Sequence, residues 1–203
     1  MPKLGMDLSG VTRHTPSRLG DHEQEAGVLA PIITDSDATA ILFTKRADHL
    51  GDHPGQMSFP GGSREPRDPD LEATALREAT EEIGLRSEAA DVIGALDDIE
   101  TVTRYIVRPF VARIPAQRYV PDEDEVAEII RLPVAALTDR ENYESEYREH
   151  PNYGPIRVHY FTVNGYTVWG ATGRMLAQLL ELTTEWTVPP EVDQTVDADV
   201  EPS

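Results

Sequence analysis

The sequence predicts an α/β protein. Short apolar runs of strand length recur along its 203 residues, bounded by charged and turn-forming residues. Two longer segments, near residues 70–84 and 170–184, carry a helical period instead. The first of these also gathers three glutamates beside a glycine pair, and the rest of the chain is organised around it.

Residues 1–24 are polar and rich in Gly, Pro and Ser, and read as an arm with partial order and a short helix within Thr12–Arg18. Ala26–Ile33 and Thr39–Thr44 are apolar runs that form a hairpin closed by Asp35-Ser36-Asp37. Arg46–Gly55 is a loop. Its His49 and His53 are four apart, but Gly51 and Pro54 argue against a helical metal pair, and they read as loop histidines near a mouth. Gln56–Phe59 is a short strand leading into Gly61-Gly62, where missing side chains let backbone approach a phosphate or simply make a tight turn.

In the helix that follows, Leu71, Ala75, Ala79 and Ile83 recur four apart as an inward stripe. Asp68 is expected as N-cap, Pro69 as the first helical residue, and Gly84 as the left-handed residue past the end. Glu78, Glu81 and Glu82 share the adjoining stripe, where like charges repel by about a few tenths of a kcal/mol per exposed pair. Arg77, four before Glu81, offsets part of this. Such a face is either a solvated acidic surface or a seat for a hard divalent cation, which takes oxygen ligands and is commonly shared with substrate phosphates.

Val92–Leu96 is a strand, followed by the acidic loop Asp97, Asp98 and Glu100. Arg104–Ile114 is a mostly buried strand in which Pro109 suits a bulge or an edge. Its Arg104 and Arg108 read as ion-pair partners or as groups facing an anion. The acidic stretch Pro121–Glu128 leads into Ile129–Pro133, and Pro133–Leu137 begins a short helix. Glu141–Pro155 reads as a polar, Tyr-rich insertion. Arg157–Val163 and Tyr166–Trp169 flank Asn164-Gly165, a strong two-residue hairpin signal. Leu176, Leu179, Leu180 and Thr183 mark the last helix. The domain is thus expected over 25–186, with an acidic disordered tail over 187–203.

With no cysteine, disulfides and a thiol nucleophile are excluded. The apolar runs are too short for a membrane span, and no signal peptide is evident, so a soluble cytoplasmic protein is expected. A net charge of −19 argues against nucleic acid, which requires a basic stripe. Oligomeric state is left open, with a homodimer as one option.

Arg77-Glu78-Ala79-Thr80-Glu81-Glu82-Ile83-Gly84-Leu85 resembles the second half of the Nudix box, R-E-U-x-E-E-x-G-U with U aliphatic or small, and Gly61-Gly62 resembles its start. The general box places a Glu six after the glycine and eight before the arginine. Here Asp68 stands six after Gly62 but nine before Arg77, so Asp fills the first acidic position and the loop is one residue longer. This lengthening resembles the coenzyme A pyrophosphatase branch. So does Leu42-Phe43-Thr44-Lys45-Arg46-Ala47, with Gly55 and Phe59-Pro60-Gly61-Gly62 in register. The branch's second arginine is replaced by Gly51. The Trp-Gly-x-Thr entry to the last helix, Trp169–Thr172, is similar to that branch as well.

The resemblance spans residues 26–182. It implies the Nudix fold, an α/β/α sandwich with a mixed β-sheet, and metal-assisted hydrolysis of a nucleotide diphosphate. Glu78, Glu81 and Glu82 would hold Mg²⁺ or Mn²⁺, Arg77 would orient them, and Gly61, Gly62 and Arg46 would meet the substrate. A box glutamate or Glu125 would take the proton of water, with Glu123 as second choice. Within the branch, coenzyme A would be cleaved to 3′,5′-ADP and 4′-phosphopantetheine. Gly51 keeps ADP-ribose, a dinucleoside polyphosphate or an oxidised nucleotide open. A non-catalytic binding module of the same fold is a further alternative, marked by lost box glutamates; all three stand here.

Lys3 and Lys45 are the only lysines in this strongly acidic chain, a composition that resembles proteins of salt-rich cytoplasm. At about 1 M salt the Debye length falls to about 3 Å and self-repulsion is largely screened. The melting temperature is therefore expected to rise from low to molar KCl. An unchanged or lower value in a thermal melt would count against salt adaptation.

Overall fold

The computed structural model describes residues 6–20, 24–35, 38–49, 55–101, 104–150 and 154–195. The hairpin forms as expected: β1 (Glu25–Thr34) lies antiparallel to β2 (Thr39–Arg46), with Ile32 opposite Ile41. Ser36 and Asp37 at its turn, like Gly51 and His53, lie outside the described residues. Beyond this pairing, β3 (Met57–Ser58) joins β2 and β4 (Gly61–Ser63) joins β1 on their facing edges. β5 (Asp91–Ala95) and β6 (Ile99–Glu100) lie antiparallel to β7 (Ile106–Arg113), and β7 runs parallel to β1. β8 (Val126–Pro133) takes the outer edge of β2, and the sheet is mixed.

Helices cover both faces. α1 (Ser9–Arg13) comes first, and α2 (Leu71–Ile83) presents the expected stripe of Leu71, Ala75, Ala79 and Ile83 to Leu29, Ile33 and Leu42. Alternate residues of the same strands, Ala30, Ile32, Ile41 and Phe43, face the other way, toward Leu176, Leu179 and Leu180. Those leucines belong to α4 (Gly170–Thr183), which follows the short α3 (Val134–Leu137). This is the expected α/β/α sandwich. A Cβ on Gly27 would fall 2.2 Å from the Leu71 carbonyl oxygen, so α2 rests directly on the β1 backbone.

Several expectations change. α2 begins later than the sequence suggested: Asp70 is the N-cap, accepting from Ala73 N–H at 2.8 Å. Asp68 is engaged elsewhere, as described below. The expected insertion is β9 (Tyr143–His150), the partner of β10 (Gly154–Val163), which turns through Asn164-Gly165 into β11 (Tyr166–Val168). In β9, Tyr143 and Ser145 point inward at period two, but their polar atoms mask the pattern. Tyr143 hydroxyl meets His159 Nδ1 at 2.7 Å, and burial presses the imidazole down to about 4.

The acidic segment after Val188 is placed through Thr195. β12 (Gln194–Thr195) pairs with β9, and Asp193 accepts from Arg140 at 2.9 Å and from Ser145 N–H at 2.9 Å. Residues 196–203 lie outside the described residues. Pro109 sits neither at an edge nor in a bulge of its own strand. It lies opposite the interruption between β5 and β6, where its carbonyl accepts from Leu96 N–H at 2.9 Å.

The N-terminal arm is docked rather than loose. Leu8 and Val11 are buried, and Asp7 N–H donates to Thr183 O at 2.7 Å. Asp98, whose carboxylate is fully buried, accepts from Arg18, from both Nε and Nη2 of Arg108, each at 2.8 Å, and from Leu19 N–H at 3.1 Å. Asp98→Ala leaves two guanidinium groups facing a void. It is expected to cost about 2–3 kcal/mol, less than a fully buried pair because the arginines keep some solvent. A thermal melt should show a fall of about 5–10 °C; a change under about 1 °C would mean the arm is not held there.

Candidate active site

The glycine turn enters through Phe59, which is buried and stacked on Phe43 at 5.0 Å between ring centroids. Pro60 O accepts from Leu29 N–H at 2.8 Å, which fixes the turn to β1. Gly61 and Gly62 then run beneath α2. Gly61 N–H donates to Glu82 Oε2 at 3.3 Å. A Cβ at Gly62 would lie 2.5 Å from Glu78 Oε1, so this carboxylate packs directly over the glycine backbone and would have to shift for a larger residue. Gly84 at φ 68° ends α2 in the left-handed conformation, as expected.

Arg77 is the hub of the acidic face. Its Nε and Nη2 each donate to Asp68, both at 3.1 Å at closest, and Nη2 also donates to Ser63 O at 3.0 Å. Nη2 lies 3.0 Å from Glu78 Oε1, and Nη1 lies 2.8 Å from Glu81 Oε2. Asp68 further accepts from Thr74 hydroxyl at 3.0 Å and Glu65 N–H at 2.9 Å. These bonds, the Arg77 fork first among them, hold its carboxyl at about 2 and raise the guanidinium pKa in return. Asp68 therefore acts as the anchor of Arg77. A loop Asp before Pro carries the signal of a helix cap, whereas a contact nine residues along the chain does not show in a periodic pattern.

The strand after the acidic loop starts at Val126, three residues before the expected Ile129, and that loop is tied to the end of α2. Val120 N–H donates to Ile83 O at 3.2 Å and Asp122 N–H to Glu82 O at 2.9 Å. Glu125 follows at the start of β8, with its carbonyl accepting from Ala47 N–H at 3.0 Å. His49 Nε2 meets Asp124 O at 3.0 Å. Nothing in the sequence signalled these backbone ties, because they depend on carbonyls left over at a helix end.

The electrostatics separate the acids. Burial first, then the charges of Glu78 and Glu125, push Glu82 up to about 8, while the Gly61 N–H and Arg46 act in the opposite sense. Burial also raises Glu78, with Arg77 opposing it and Glu81 and Glu125 adding to it. Glu78, Glu82 and Glu125 thus press on one another beside the glycine strand, with Arg46 within electrostatic reach. Glu81 differs: half-exposed, it is held by Arg77 and, at 3.1 Å, by Arg67. Among the described residues, no group of three or more acid or histidine side chains is gathered so that it could hold a metal ion. A hollow of about 270 Å³ lined by Glu25, Arg64, Glu65, Pro66 and Asp68 lies on the loop side of this network and includes no box glutamate. Among the described residues, no helix is long and apolar enough to cross a membrane.

The layers and the row of helix carboxylates set against a glycine strand define an α/β/α sandwich with an all-oxygen acidic site. The chain belongs to the Nudix hydrolase family. The family model for the NUDIX domain matches residues 23–152. The chain is 36% identical over 171 residues to the uncharacterised Nudix hydrolase NudL of Cronobacter sakazakii, covering 83% of this chain and 88% of that protein. It is 33% identical to NudL of Photorhabdus laumondii over 168 residues, covering 82% of this chain and 88% of that protein. Among solved structures, the Nudix hydrolase RenU from M. smegmatis aligns with a TM-score of 0.48 at 22% identity, covering 61% of this chain and 81% of that chain. Family membership rests on the sequence matches.

Glu82 carries a linkage that can be measured. Its folded pKa of about 8 lies above the ordinary 4.5. The neutral acid's contribution to stability is full below about 4.5 and is lost as pH rises through about 8. In EDTA, Glu82→Gln is expected to melt about 5 °C above the parent protein at pH 9 and together with it below pH 4.5. Equal melting temperatures at pH 9 would refute the buried-charge assignment.

Proposed function

We propose that this chain hydrolyses the diphosphate of coenzyme A or its derivatives with Mg²⁺ or Mn²⁺. The observation that carries this reading is the buried Glu82 side chain, set against the glycine strand among the charges of Glu78 and Glu125, with Arg46 acting on it in the opposite sense. The donor chemistry suits a hard dication: it is all oxygen, and burial first, then neighbouring acid charge, raises Glu78 and Glu82 against the opposing Arg77 and Arg46. Glu78 and Glu82 would hold the ion, with Glu81 as the third box acid. When bound, it neutralises phosphate charge and lowers the pKa of water.

The chain's own groups do the rest. Arg77 orients Glu78. Gly61 and Gly62 admit the diphosphate close to the backbone, with Arg46 at the end of β2 nearby. Glu125, or a box glutamate, accepts the proton as water oxygen bonds to phosphorus and the anhydride P–O bond breaks. With coenzyme A the products are 3′,5′-ADP and 4′-phosphopantetheine. The signature from Leu42 to Gly62 supports this substrate. Gly51 supports a second reading, the same chemistry on ADP-ribose or a dinucleotide. The protein is proposed to act in the cytoplasm on small nucleotides, with no nucleic-acid partner.

Purified protein with Mg²⁺ or Mn²⁺ and a panel of coenzyme A, ADP-ribose and NADH, at low and molar salt, is expected to release 3′,5′-ADP fastest from coenzyme A. Glu82→Gln should lower kcat by more than about 100-fold while remaining folded. Faster turnover of another member of the panel would move the substrate assignment. Cleavage of none would favour a binding module, and near-normal turnover by Glu82→Gln would refute the metal role.

A further inference from the structure

The two long helices begin differently. α2 opens on acids: Asp70 caps it, and Glu72 stands in its first turn. α4 opens on Trp169-Gly170-Ala171-Thr172 with no side-chain cap and no acid in its first turn, in a chain of net charge −19. Trp169 has no acceptor to offer, and its ring is stacked on Tyr160 at 6.0 Å between centroids. The first helical bond runs from Gly173 N–H to Trp169 O at 3.1 Å, so among the described residues the N–H groups of Gly170, Ala171 and Thr172 meet no acceptor. Such a start is electropositive, but alone it can be satisfied by water. Three side chains add donors to it. Thr172 is only 7% exposed, yet its hydroxyl has no hydrogen-bond partner among the described residues. No side-chain oxygen or nitrogen there is both fully buried and unpartnered, so the hydroxyl is the part of Thr172 that reaches the surface. Helical side chains lean toward the N-terminus, which aims this hydroxyl at the open turn. Arg174 is exposed, has no ion pair among the described residues, and stands four after Gly170 on the same face. The Gln56 side-chain amide nitrogen lies against the turn, 3.7 Å from where a Cβ on Gly170 would be.

We infer that the first turn of α4, with Thr172, Arg174 and Gln56, receives a phosphomonoester, the 3′-phosphate of the substrate. This inference rests on the coenzyme A reading above and names the group that would set that substrate apart. The turn is in the right neighbourhood. Gln56 leads through β3 into Gly61-Gly62, and its carbonyl accepts from Arg46 N–H at 3.0 Å. Arg46 in turn is within electrostatic reach of Glu82. In coenzyme A the 3′-phosphate is one ribose away from the diphosphate, whereas ADP-ribose and NADH carry no such group. The chemistry of the turn also fits. A phosphomonoester offers acceptor oxygens and close to two negative charges. The turn offers N–H groups, a hydroxyl, an amide and a guanidinium, and its first turn has no carboxylate to repel an anion. Gly170, at φ 65°, adds no side chain between the anion and the backbone.

Two measurements at low salt, where the contact is least screened, test this. The first is titration calorimetry of the full chain in EDTA with 3′,5′-ADP and with 5′-AMP, which differ only in the 3′-phosphate. The parent protein is expected to bind 3′,5′-ADP at least about tenfold more tightly, and Arg174→Gln/Thr172→Val to reduce that preference below about threefold. Arg174→Gln alone, at an exposed position, should reduce it in part and keeps the test open if the double variant folds poorly. The second is kcat/KM with Mg²⁺ for coenzyme A over 3′-dephospho-coenzyme A, expected to exceed about tenfold and to fall in the same variants through KM. Inorganic phosphate separates a free-anion site from a substrate site. Phosphate binding that depends on Arg174, with no preference for 3′,5′-ADP over 5′-AMP, would overturn the inference. A preference that the double variant keeps would overturn it too, as would equal weakening of both nucleotides. An Arg174-dependent preference in a protein that cleaves no coenzyme A would sink the hydrolase reading and leave this site standing. Equal cleavage of coenzyme A and its dephospho form would do the reverse.

Discussion

One guanidinium group holds the acidic face of this domain together. Arg77 forks onto Asp68, reaches Ser63 O, and pairs with Glu78 and Glu81, all from a side chain at 14% exposure. A planar fork with five donors can serve several carboxylates at once, which an ammonium cannot. Without it, the carboxylates in the last turn and a half of α2 would face one another in a chain already at −19. Asp68, almost wholly buried, is what makes the arrangement rigid: its own bonds to Thr74 and Glu65 N–H leave the arginine one orientation.

Around this pivot, charge is distributed unequally. On the loop side Glu65, Asp68 and Glu81 each have a cation, and their contribution to stability is that of a partly exposed ionic network, modest and sensitive to salt. On the strand side Glu82 is buried against a backbone N–H that is too weak a partner for a full charge. A fold tolerates such a group when its function needs it, since a buried unmatched carboxylate costs stability. The sandwich supplies that tolerance through two apolar layers, one on each side of the mixed sheet.

The helix stripe, the glycine end of α2, the Asn-Gly hairpin and the apolar hairpin were all legible because each rests on neighbours within one turn or one strand. The carboxylate row was legible for the same reason. What the sequence concealed depends on distant partners. Asp68 reads as a cap until Arg77 is placed beside it. β9 reads as an insertion because its inward residues, Tyr143 and Ser145, are polar and find their bonds only against β10 and Asp193. The arm reads as loose until Asp98 is seen to hold Arg18. The contact of Glu81 with Arg67, a loop arginine fourteen residues away, is of the same kind and does not show in the helical spacing.

The backbone ties between the 120–122 segment and the final carbonyls of α2 make the helix and the Glu125 segment one mechanical body. Glu82 and Glu125 would then keep their separation through any motion of the domain, since two amide bonds clamp one to the other's chain. Among the described residues, the segment that follows β2 is joined to that body through Ala47 and His49. Exchanging that segment between related chains would be a way to change what is cleaved while leaving the acids in register.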